Sequence, residues 1–116
     1  MKNKNVMNTN TDFRFGEVYR LADQVEKAGD KVQFRNIFET HRGGVSLLAF
    51  EAGQALDEHI APAEVMVNVL SGEIEFNFAG TPKTLKEGEF LLMGQDVLHS
   101  VKAVTDAKLM LVKVKP

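Results

Sequence analysis

The stretch Gly53-Gln54-Ala55-Leu56-Asp57-Glu58-His59, followed by Val65-Met66-Val67-Asn68-Val69-Leu70-Ser71-Gly72, decides the fold. A turn glycine is followed six residues later by a histidine, then by an apolar strand that Ser71-Gly72 closes. A second block repeats this order with the strand first: Gly88-Glu89-Phe90-Leu91-Leu92-Met93-Gly94-Gln95-Asp96-Val97-Leu98-His99. Each block sets a histidine at a fixed distance from a turn glycine and beside an apolar strand. That spacing can aim two imidazoles into one barrel interior.

Outward from these blocks the signals stay β. Glu73-Ile74-Glu75-Phe76-Asn77-Phe78 alternates strictly, with Ile74, Phe76 and Phe78 on one face and Glu73, Glu75 and Asn77 on the other. Residues 32–40 read as a strand whose alternation falters at Asn36-Ile37. Residues 45–52, 90–93, 98–104 and 108–114 complete the series. Turns are expected at 28–30, at Gly43-Gly44, where paired glycines tolerate the positive φ of a two-residue hairpin, at 80–82 and at 86–88. Tyr19–Val25 suits a short helix or turn plugging one end, since Leu21 and Val25 lie one helical turn apart. Short strands punctuated by turns, with no long amphipathic helix to cover a parallel sheet, indicate a sandwich or barrel. The expected organisation is a flexible polar tail over residues 1–12 and a single all-β domain over 13–116, with its motif region at 45–104.

Composition bounds the function. A chain of 116 residues with 44% apolar residues builds one real core. A formal net charge of −2 gives no broad basic face, which argues against a nucleic-acid partner. There are no cysteines, so disulfides, thiolate nucleophiles and Cys-ligated zinc are excluded. No signal-like or membrane-spanning apolar run appears, so a soluble cytoplasmic protein without a membrane partner is expected. No phosphate-cradling glycine loop or G-x-S-x-G elbow is present.

From about residue 31 to 114 the chain resembles the cupins, small jelly-roll β-barrels. Their first motif is written G-x5-H-x-H-x3-E-x6-G, and here Gly53, His59 and Gly72 match in register. The second histidine position holds Ala61 and the glutamate position Val65. Their second motif is written G-x5-P-x-G-x2-H-x3-N. Gly88 and His99 match it, while Gly94, Asp96 and Ala103 hold the proline, inner glycine and asparagine positions. The resemblance implies a jelly-roll barrel with a short N-terminal strand or helical turn. It also implies a homodimer, built by sheet packing or strand exchange, for which residues 13–20 are candidates. In metal-binding cupins three histidines and the glutamate hold iron, manganese, nickel or zinc. Only His59 and His99 remain here, and neither alanine nor valine can ligate.

His59 and His99 are therefore expected to meet at one pocket, as possible metal ligands or acid/base groups. Val65, Val67, Met93 and Phe50 are expected to bound the cavity beside them. Glu64 is a weak third metal candidate: a bulge near Pro62 would turn it inward. Asp96 reads as a turn residue and His41 as a surface histidine. Three functions stay open: a small-molecule-binding barrel with a degenerate ligand set; a metal-dependent dioxygenase or isomerase with a two-histidine site; and a metal-free isomerase or epimerase using histidine as base. The ligand is a small molecule of unspecified identity.

Overall fold

The computed structural model describes residues 9–116. Among the described residues nine strands form in chain order: β1 Gln33–Thr40, β2 Gly43–Phe50, β3 Ala55–His59, β4 Glu64–Ser71, β5 Glu73–Phe78, β6 Thr81–Lys86, β7 Phe90–Met93, β8 His99–Ala103 and β9 Ala107–Val114. They make two antiparallel sheets, one of five strands in the order β1-β2-β9-β4-β7 and one of four in the order β3-β8-β5-β6. This is the all-β, jelly-roll arrangement expected from the sequence.

The sheets pack through the residues that alternation turns inward. Phe50, Val65, Val67, Val69 and Leu109 come from one sheet, and Ile74, Phe76, Leu85 and Val101 from the other. Phe50, Phe76 and Ile74 are fully buried, so the centre is closed by large side chains. The polar positions of β5, Glu73, Glu75 and Asn77, fall on the opposite face from Ile74 and Phe76, as the strict alternation predicted.

Two local readings change and a third is explained. The turn expected at Gly43-Gly44 lies two residues earlier, at His41-Arg42, because Thr40 pairs with Gly43 and both glycines belong to β2. Gly43 is instead needed for close approach: a Cβ there would lie 2.0 Å from the Lys113 carbonyl oxygen on β9. Residues 81–86, read as little more than two turns, form β6. Pro82 is accommodated there because β6 is an edge strand and needs no second ladder partner. The hesitation at Asn36-Ile37 is a register shift between Asn36 and Phe38.

The helical turn expected near Tyr19–Val25 is a short 3-10 helix over Leu21–Gln24. Leu21 and Val25 cover Leu47, Ala49, Leu70 and Met110 on the outer face of the five-stranded sheet. Lys108 holds this segment in place by donating to the Ala22 carbonyl and pairing with Glu26. Of the expected tail, residues 1–8 lie outside the described residues. Asn10 exchanges two backbone hydrogen bonds with Glu39, and the Thr11 hydroxyl donates to the Ile37 carbonyl at 2.6 Å. Residues 13–20 form no strand; Phe13 packs edge-on against Tyr19 and lies under the Arg35 guanidinium.

Candidate functional site

The site starts from one pairing. His59 at the end of β3 stands opposite His99 at the start of β8, and Phe78 of β5 flanks His99 on its other side. A register shift between Leu56 and His59 turns both of those side chains inward although they are three apart, an odd spacing that a regular strand would send to opposite faces. The two ring centroids are 4.1 Å apart. His99 also stacks nearly parallel on Phe76, with centroids 5.6 Å apart and planes 8° apart.

Each imidazole is anchored by its own strand entry. His59 Nδ1 lies 2.8 Å from the Asp57 carbonyl oxygen, and His99 Nδ1 lies 2.8 Å from that of Val97. A carbonyl only accepts, so each Nδ1 carries a hydrogen and donates it. Each Nε2 is then a lone-pair acceptor with no hydrogen-bond partner among the described residues. His99 is the only polar side chain among the described residues that is buried, at 5% exposure. Burial is the main reason its pKa lies below the usual histidine value. The hydrogen bond to Val97 opposes that shift, and the nearby His59 adds to it.

The pair opens into a cavity of about 450 Å³, large enough for a small organic molecule. Apart from the histidines its wall is mostly apolar. Of the residues expected to bound it, Val65, Val67 and Met93 do so. Phe50 does not: it is completely buried in the core. Ala61 also lines the cavity, next to the histidines. The loops that carry the site are tied together, since the Asp96 N–H donates to the Ala61 carbonyl at 2.9 Å. Asp96 itself has φ 63°, which explains how an aspartate fills the inner glycine position: it tolerates the left-handed conformation the turn demands.

Glu64 is exposed and absent from the cavity wall, because β4 pairs with β9 in regular register from Glu64 through Val69 and no bulge turns it inward. His41 sits exposed in the β1–β2 turn. Among the described residues no three His, Cys, Asp or Glu side chains are grouped to hold a metal ion. The two imidazoles face an alanine and a valine where a complete donor set needs nitrogen and oxygen, so the residues present do not fit a resident metal of the four-ligand kind.

Among the lining residues not singled out in the sequence, two stand at the polar or exposed edge. Phe34 of β1 lines the cavity while remaining 62% exposed. Lys113 of β9 is the other. It lies directly opposite Val65 and in phase with Leu109 and Leu111, all of which line the cavity. The Leu109, Leu111, Lys113 alternation was the signal that could have placed it.

Among the described residues no helix is long and apolar enough to cross a membrane. No curated protein matches the chain. Among solved structures, a conserved protein of unknown function from Streptococcus pyogenes is 25% identical, with a TM-score of 0.84 over 91% of this chain and 93% of that one. A cupin superfamily protein from Desulfitobacterium hafniense is 17% identical, with a TM-score of 0.83 over 91% and 97%. A cupin 2 conserved barrel domain protein from Leptotrichia buccalis is 30% identical over 84% of this chain and 47% of that one, with a TM-score of 0.80. The cupin domain family model matches residues 46–115, the span that contains both histidine motifs. On this match and on the paired motifs, the chain belongs to the cupin family.

Proposed function

We propose that this cupin binds a small organic molecule in the cavity beside His59 and His99, without a resident metal. One observation carries the reading: a mostly apolar cavity of about 450 Å³ converges on two Nε2 acceptors that have no protein partner. Such a site recognises a ligand with an apolar body and a hydroxyl or N–H group to donate to the pair. The test is uptake of the neutral fluorophore N-phenyl-1-naphthylamine by chelator-treated protein, wild type against Ala61→Phe. Saturable binding at one site per chain, lost when phenylalanine fills the cavity, supports the reading. Absence of saturable binding, or binding that Ala61→Phe leaves intact, contradicts it.

A second reading, metal-free isomerisation with a histidine as base, is favoured by the backbone carbonyls that fix both tautomers. It requires turnover that survives chelation.

Self-association is proposed through the outer face of the five-stranded sheet. Leu21 and Val25 cover one part of that face. Met66, Phe90, Leu92 and Val112 lie together on another part, with Phe90 56% and Leu92 65% exposed. An antiparallel sheet apolar on both faces is normally covered on both. This patch carries no charge, so a second copy meets it without repulsion.

A further inference from the structure

We infer that the ligand of this cavity is an organic anion, with its apolar body inside and its negative group at Lys113. The inference rests on the small-molecule reading above and adds the ligand's charge. Among the described residues Lys113 is the only cation in the cavity wall. It takes part in none of the ion pairs found among the described residues, which use Arg20, Lys27 and Lys108. Its place on β9 fixes its direction: Leu109 and Leu111 precede it on the inward face, and Val65 lies opposite.

A second observation points the same way. A groove adjoins the cavity at its mouth and shares Phe34, Ala61, Pro62 and Lys113 with it. Among the described residues that groove adds the cation Lys115 and the acid Glu39, while Arg35 borders it with its guanidinium turned away over the Phe13 ring. The mouth is thus locally positive on a chain whose formal net charge is −2, a contrast that draws in an anion and orients it.

Asp57 is the acidic member of the cavity wall. It also borders an outer groove with Glu75, Asn77 and Lys102. It lies within the register shift between Leu56 and His59 and shares that outer groove with Glu58. Its main-chain carbonyl serves the cavity, as the acceptor for His59.

Octanoate, 1-octanol and octylamine share an eight-carbon chain and differ in charge at pH 7.5. Each is titrated against bound N-phenyl-1-naphthylamine in wild type, Lys113→Gln and Lys113→Arg. Octanoate is expected to displace the probe at about five-fold lower concentration than octanol, as suits one solvent-exposed ion pair. The preference is expected to vanish in Lys113→Gln, persist in Lys113→Arg and shrink in added salt. Equal displacement by octanoate and octanol overturns the anion inference and leaves the binding reading standing. Preference for octylamine overturns it in favour of Asp57. An octanoate preference that survives in Lys113→Gln overturns the role of Lys113, and failure of every probe to bind overturns both readings.

Discussion

His59 and His99 face each other across the β3–β8 pairing with ring centroids 4.1 Å apart, each holding its Nδ1 hydrogen on a main-chain carbonyl two residues earlier. The pair therefore behaves as one polar feature at the edge of an apolar cavity. A positive charge on His99 is disfavoured there by burial and by the neighbouring His59, and the neutral imidazoles present Nε2 acceptors to the cavity.

The buried member gives a pH signature. His99 has a folded-state pKa below the ordinary value of 6.5, chiefly because burial disfavours its charged form. Below that value the unfolded chain binds the proton more readily than the folded one. The stability contribution is therefore complete above pH 6.5 and is lost as pH falls through the folded pKa. Urea denaturation across this range is expected to show stability falling toward acid. The slope should be shallower in His99→Asn, which keeps a donor for the Val97 carbonyl and does not titrate. The slope removed cannot exceed about 1.4 kcal/mol per pH unit, the limit for one proton. Identical slopes in the two proteins would show that His99 does not titrate differently on folding.

The incomplete donor set predicts a gain of function. Ala61→His together with Val65→Glu restores a nitrogen and an oxygen beside the histidine pair. After loading with zinc and desalting, elemental analysis is expected to find close to one metal per chain in the double variant and well below that in wild type. Stoichiometric metal in wild type, lost in both His59→Ala and His99→Ala, would mean that two histidines suffice.

Two glycines of the matched motifs separate conformational strain from steric exclusion. Gly53 and Gly72 both have positive φ, 90° and 82°. A Cβ at Gly53 would meet nothing within 4 Å, whereas at Gly72 it would lie 2.0 Å from the Asp106 carbonyl oxygen. Gly53→Ala is expected to cost about 1 kcal/mol for the left-handed backbone alone. Gly72→Ala adds the clash with β9's entry and is expected to cost at least ~2 kcal/mol more. Denaturant midpoints of the two variants measure the difference, and equal losses would contradict it.

The outer sheet face predicts association. Sedimentation velocity is expected to find wild type as a dimer and Leu92→Lys as a monomer with unchanged circular dichroism, because a lysine would place a charge in the apolar patch. A monomeric wild type would contradict the proposed interface.

Much of this was legible in the chain because local pattern and long-range packing agree. The strict alternation of β5 and the apolar inner positions of β4 each specify one face, and both strands formed where they were read. The matched glycines were legible for a physical reason: Gly53, Gly72 and Gly88 all carry positive φ. Strand β6 escaped notice because Thr81 to Lys86 is mostly polar and contains Pro82, features an edge strand permits. Phe50 was placed beside the pocket as a residue near the barrel mouth, but depth inside the fold is set by packing between the sheets, which no single strand reveals. The tautomers of His59 and His99 depend on carbonyls two residues away, and those contacts arise only once the strands enter the sheet.

The most direct test of the account follows the side-chain nitrogen signals of the three histidines by ¹⁵N NMR as N-phenyl-1-naphthylamine is added to metal-free protein. An occupant in the cavity is predicted to shift His59 and His99 and to leave His41, exposed in the β1–β2 turn, unmoved. Shifts at His41 alone, or at none of the three while the probe is bound, would place the ligand elsewhere and contradict the central claim.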